Sequence, residues 1–209
     1  MNTSVSSSLK LDGAGQLRQL HQLGEMGVDR EVGGRTCIAL TDDEHAGRDL
    51  VVRWMHEMGL DVRVDHLGNI FRTLHSESDD GSQRPLITGF HIDPVENAGT
   101  LDGCYGVLAW LTVVRAFRQA GIKPQRSIII GASTSEEGIR YQPDMMGSLV
   151  FAGGLSIEGA LDTVGIDGTR LGDELERIGY ARRPRARRSR SARMSRTAHR
   201  AGSGSIREA

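Results

Sequence analysis

The sequence predicts an α/β protein with a mostly parallel central sheet flanked by helices. Three observations carry that expectation. The elements read in the order helix, strand, strand, strand, helix, strand, the alternation of a layered sheet-and-helix domain. Ser127–Ser133 is an apolar run without alternation, as in a strand covered on both faces. Acidic and imidazole residues fall at predicted strand ends, where open α/β sheets hold their ligands.

Each element has its own local reason. Residues 1–10 are polar and Ser-rich and read as a flexible N-terminus without the apolar core of a secretory signal. Leu17, Leu20, Leu23 and Met26 form a helical stripe within Leu11–Met26. Thr41-Asp42-Asp43-Glu44 is a capping box, in which the hydroxyl and the carboxylate each satisfy a free backbone N–H. Behind it Ala46, Leu50, Val51, Trp54, Met55 and Met58 recur at helical spacing, and Gly59 supplies the left-handed stop. Asp61–Asp65 alternates like a half-exposed strand, and Leu67-Gly68-Asn69 turns the chain into a second strand over Ile70–Leu74. Residues 75–84 form a polar loop, and Pro85–Phe90 reads as a buried strand. A long apolar helix follows Asp102-Gly103 and ends at Gly121. Shorter helices are expected around Met145–Phe151, Ile157–Leu161 and Leu171–Ile178.

The formal charge of -1 conceals two unlike segments. Residues 1–180 carry 16 Lys+Arg against 26 Asp+Glu, whereas residues 181–209 carry ten Arg and one Glu. That second segment lacks apolar periodicity and is expected to be a disordered basic tail. No apolar run is long enough to cross a membrane. Cys37 and Cys104 make neither a disulfide framework nor a ligand spacing, so they are expected to be packing residues of a reduced, cytoplasmic protein.

Three segments carry chemistry. His91 and Asp93 follow a predicted strand, Asp102 precedes a helix, and Glu136-Glu137 follows another strand. An imidazole with several carboxylates is a mixed donor set suited to Zn²⁺ or Mn²⁺, and also to Ni²⁺ or Co²⁺. One of two adjacent glutamates can bind metal while the other moves a proton. Asp93 stands where it can hold the second imidazole nitrogen. Singly, each has a plainer reading: a structural His–Asp pair, a helix cap at Asp102, a solvated pair of glutamates.

Together the segments resemble a known family. Thr88-Gly-Phe-His91-Ile-Asp93-Pro-Val-Glu-Asn-Ala-Gly-Thr-Leu-Asp102-Gly103 resembles the G-S-H-x-D-T-V-x-x-G-G-x-x-D-G segment of M20-type metallo-amidohydrolases. Ser135-Glu136-Glu137-Gly138-Ile-Arg140-Tyr141 resembles their N-E-E-G-x-R-F segment. With Gly147-Ser148, these point to the branch of N-carbamoyl-L-amino-acid hydrolases, allantoate amidohydrolases and β-ureidopropionases, over roughly residues 10–180. The resemblance implies two divalent metal ions, with His91, Asp102 (bridging) and Glu137 as ligands, Glu136 as general base and Asp93 behind the histidine. It implies a small carbamoyl or ureido substrate and a homodimer. The expected domain organisation is therefore the N-terminal part of a metal-dependent hydrolase domain over residues 11–180, followed by the tail.

Phe90, Pro94 and Ala98 depart from the family pattern, and Pro94 constrains the backbone at Asp93. The family's H-I-E-Q-G motif, its dimerisation domain and a later histidine ligand have no counterpart. His199, in the Arg-rich tail, lacks that context and is not counted as a ligand. The chain is thus expected to be C-terminally truncated and impaired, with the switch at Ala181 suggesting out-of-frame translation of a G+C-rich gene. The competing expectation is a non-catalytic fragment whose genuine basic tail binds polyanions. Base-stacking contact with nucleic acid is disfavoured, because the tail has no interleaved aromatic residues.

Overall fold

A computed structural model describes residues 9–59, 61–77 and 83–182. The flexible start and the disordered tail expected from the sequence therefore lie almost wholly outside the described residues. At the boundary the chain is still packed: Arg182 Nη1 donates to the Val64 carbonyl at 3.1 Å, and Ala181 N–H donates to the Leu175 carbonyl.

The α/β layering is present. Helices α1 (Gly13–Gly24) and α2 (Asp42–Glu57) precede strands β1 (Val62–Val64), β2 (Ile70–Leu74) and β3 (Leu86–His91). Helix α3 (Cys104–Gln119) leads to β4 (Ile128–Ser133), and α4 (Met146–Ala152), α5 (Ile157–Leu161) and α6 (Leu171–Arg177) follow. Among the described residues the strands form one sheet, ordered β1-β2-β4-β3.

The sheet is mixed, which corrects the mostly parallel sheet expected from the sequence. Both β1–β2 and β2–β4 pair antiparallel, and only β3–β4 is parallel. The reason is the length of the connections. A tight turn joins β1 to β2, closed by Asp65 Oδ1, which accepts from Leu67 N–H and Asn69 N–H at 2.9 Å. Such a turn permits only antiparallel pairing. The single helical crossover, β3–α3–β4, produces the single parallel pair.

One face of the sheet carries the main core. Ile70, Ile128, Ile130 and Ala132 pack there with Leu23, Val51, Met55, Val107, Leu108 and Leu111 of the first three helices. A second cluster joins Leu40, Leu67, Tyr141, Met146, Leu171 and Leu175 beneath the later helices. β4 is interior and largely buried, as its apolar run predicts. β3 is not, and the expectation of a buried strand is corrected. It lies at the sheet edge, and Leu86, Ile87 and Phe90 are 41%, 48% and 53% exposed.

Capping also differs in detail. Thr41 Oγ1 accepts from Glu44 N–H at 3.4 Å, but the Glu44 carboxylate reaches past Thr41 to Leu40 N–H at 3.1 Å. Its other oxygen holds Arg48, one turn along the helix. Both cysteines are free and buried.

Candidate metal centre

His91 is the last residue of β3, and its ring is buried. Asp102 sits immediately before Gly103, the residue that caps α3 with φ 64° and no side-chain bond. Asp102 therefore does not cap the helix; its Oδ2 accepts from Val95 N–H at 3.3 Å. Glu136 and Glu137 lie just beyond β4. Donor atoms of His91, Asp102 and Glu137 all fall within 4.8 Å of one another, so the fold brings together the three residues singled out as ligands.

The other two candidates border this cluster. His91 Nε2 is 3.4 Å from Glu136 Oε2 and 3.6 Å from Glu137 Oε1. Its Nδ1 faces Asp93, yet the hydrogen-bond distance is to the main-chain oxygen, at 3.2 Å, while the carboxylate Oδ1 is 3.7 Å away. The carboxylate is turned instead toward the glutamate loop, where Oδ2 accepts from Glu136 N–H at 2.9 Å. Asp93 Oδ1 is buried without a hydrogen-bond partner. The Phe90 ring tilts against the His91 ring, 4.4 Å between centroids.

Burial sets the electrostatics. It lowers the His91 pKa, partly opposed by the negative charge of Glu137. It raises Glu136, helped by Asp144 and Asp102, and raises Glu137, opposed by His91. It holds Asp93 well above the ordinary carboxylate range, with Glu44 adding to the effect. A carboxylate of raised pKa takes up a proton more readily, as a general base requires.

The donor chemistry fits a divalent cation: one buried imidazole and two half-buried carboxylates, a mixed nitrogen and oxygen set. The orphaned Asp93 oxygen beside the ring is consistent with a centre built for more positive charge than the protein itself supplies. Next to Glu136 opens a cleft of about 310 Å³ lined by Asn69, Phe71, Phe90, Met145, Ser148 and Phe151. A larger cavity of about 830 Å³ lies between α2, β1 and Tyr180, and none of the clustered residues lines it.

Sequence reasoning missed the supports of this site. Asn69 and Thr134 bond to each other across β2 and β4, and Arg48 is buried behind them. Ser135 holds φ 51°, a left-handed conformation, with its buried Oγ unpartnered. The readable signal there was the Asn of the resembling segment, a residue more tolerant of positive φ.

Comparison with known proteins connects this fold and donor set to the M20-type hydrolases. Residues 82–180 match the model described as Peptidase family M20/M25/M40, and the chain belongs to that family. It is 38% identical over 148 residues to an N-carbamoyl-L-amino-acid amidohydrolase of Rhizobium meliloti, covering 71% of this chain and 35% of that protein. It is 33% identical over 183 residues to a ureidoglycolate hydrolase of Arabidopsis thaliana, covering 85% and 37%. A hydantoinase/carbamoylase family amidase from Burkholderia multivorans superposes with a TM-score of 0.78 at 40% identity, covering 83% of this chain and 41% of that one. The chain thus spans little more than a third of the length of these curated relatives. Among the described residues, no helix is long and apolar enough to cross a membrane.

Proposed function

We propose that the chain carries part of the catalytic centre of a metal-dependent amidohydrolase acting on a non-peptide C–N bond. The substrate would be an N-carbamoyl-L-amino acid or an allantoate-like ureide. The observation that carries this reading is the convergence of His91, Asp102 and Glu137 within 4.8 Å, with Glu136 beside them. The names of the relatives supply the substrate class.

In this reading His91, Asp102 and Glu137 would hold a divalent ion, with Asp102 the family's counterpart of the shared carboxylate. The chemistry supplied there by Zn²⁺ or Mn²⁺, or by Ni²⁺ or Co²⁺ in their place, would be polarisation of the scissile group and a more acidic water. Donation from Nδ1–H to the Asp93 main chain leaves the Nε2 lone pair facing the carboxylates. Asp93 also holds the Glu136 backbone through its 2.9 Å bond, which fixes the glutamate beside the imidazole. Glu136 accepts a proton from the attacking water and returns it to the leaving nitrogen. Cleavage of the bond between a carbamoyl carbon and the amino-acid nitrogen in this way frees the amino acid and leaves carbamic acid, which breaks down to ammonia and CO₂.

Because the chain spans only part of its relatives, metal binding is the first readout and turnover the second. Equilibrium dialysis with Co²⁺ should show binding that Glu137→Gln weakens by about tenfold or more. Ammonia release from a panel of ureido acids should require metal and vanish in Glu136→Gln while that variant still binds the ion. Activity without metal, or indifferent to Glu136→Gln, sinks the mechanism.

A further inference from the structure

The glutamate pair projects from a segment whose backbone is bonded on every side. The carbonyls of Thr134 and Ser135 accept from Gly147 N–H at 2.9 Å and Met146 N–H at 3.1 Å, and that of Glu136 accepts from Met145 N–H. Thr134 N–H donates to Asn69 Oδ1 at 2.8 Å, and Asn69 Nδ2 donates to the Gly147 carbonyl at 3.0 Å. The loop is thereby stapled to the start of α4 and to β2. Among the bonds that leave this cluster, Thr134 Oγ1 accepts from Arg48 Nη2 at 3.1 Å.

Arg48 is 1% exposed and uses each of its nitrogens on a different element. Nε meets the buried Glu44 on α2. Nη1 donates to the Gly68 carbonyl in the β1–β2 turn at 2.7 Å. Nη2 reaches the end of β4 through Thr134. A buried guanidinium is a costly way to join a helix to a turn and a strand end, even with Glu44 of the same helix balancing its charge, and apolar packing would do so at less expense in desolvation. What the guanidinium adds is direction, since its planar fork fixes the angle of every group it binds.

We propose that Arg48 and Thr134 are positioning residues for Glu136 and Glu137: the guanidinium, oriented by Glu44, holds the Thr134 hydroxyl and with it the strand end that carries both carboxylates. The proposal rests on the reading of those glutamates as the working carboxylates. The link to the chemistry is short. Two residues after Thr134, Glu136 N–H reaches the Asp93 carboxylate, so a loosened Thr134 frees the segment between two anchors.

The test uses the full chain without metal. Thr134→Val removes the hydroxyl at nearly constant volume, and Thr134→Ser keeps it. Native-state amide exchange followed by NMR should show the Glu136 amide exchanging about tenfold faster in Thr134→Val, the factor expected for loss of one buried hydrogen bond. The β4 amides should stay within about twofold, and Thr134→Ser should restore the wild-type rate. An unchanged Glu136 amide, or acceleration shared equally along β4, overturns the proposal. Failure of the wild-type chain to bind Co²⁺ would instead remove the metal reading, and the exchange result would still decide whether Arg48 and Thr134 hold this loop.

Discussion

The backbone of Gly103 lies against the imidazole of His91, so closely that a methyl group on it would come within 2.5 Å of ring atoms Cε1 and Nδ1. The position also holds φ 64° with ψ -48°, a sparsely populated γ-turn conformation that costs a residue with a Cβ about 1–3 kcal/mol. Gly103→Ala should therefore lower the urea midpoint and push the ring from its place. Co²⁺ affinity should fall by about tenfold or more, comparable to losing a residue that orients a ligand. Retained affinity in a folded Gly103→Ala protein would show that ring placement is not critical.

Ser135 combines positive φ with a buried hydroxyl that has no partner. Replacing it with glycine removes both penalties. Ser135→Gly should stabilise the chain by about 1 kcal/mol, after allowance for the larger entropy of the unfolded glycine. Urea titration measures this directly, and a destabilised variant would mean that the hydroxyl has a role in the folded state.

Arg72 lies in β2, 1% exposed, with Nε, Nη1 and Nη2 all lacking hydrogen-bond partners. Burial, aided by the nearby positive charge of Arg118, lowers its pKa to about 10. Arg72→Met should stabilise the protein by about 1–4 kcal/mol, the range found when buried charges are replaced by apolar side chains. The unfolded chain binds this proton more tightly than the folded one. The Arg72 contribution to stability is therefore least favourable below pH 10 and improves as pH rises through that value. Arg72→Met should flatten that rise, as denaturant midpoints between about pH 8 and 10.5 would reveal.

Burial pushes the Cys37 thiol up to about 12 and also raises that of Cys104, whose sulfur accepts from Arg35 Nη2 at 3.5 Å. Thiolate is the reactive form, so neither residue should react with a colourimetric thiol reagent at about pH 8 in the folded chain. Both should react in denaturant. Rapid labelling of the native protein would contradict the packing role of these cysteines.

Local patterning was readable where burial repeats along the chain. Leu50, Val51, Trp54 and Met55 mark the inner face of α2, and the apolar run of β4 reflects cover on both faces. The direction of pairing was not, because it depends on which strands meet after the chain has turned. The exposure of Ile87 and Phe90 was hidden for the same reason, since an edge strand and an interior one can share a composition. At the site, His91, Asp93, Asp102, Glu136 and Glu137 stood out by donor type and by their places at element ends, and the family resemblance singled out His91, Asp102 and Glu137 as ligands. Arg48, Asn69 and Thr134 did not. A buried polar residue has no periodic signature, and its partners come from three separate elements.

The single parallel pair of the sheet has a consequence for how this chemistry can be inherited. His91 closes β3, Asp102 precedes α3, and Glu136 and Glu137 follow β4, so every clustered donor belongs to one uninterrupted strand–helix–strand passage. That passage sets the spacing of the donors it carries, while Arg48 and Asn69, which lie outside it, brace the loop that bears the glutamates. The helices and the hairpin around it act as a chassis, and variation there would tune the centre without rewriting it.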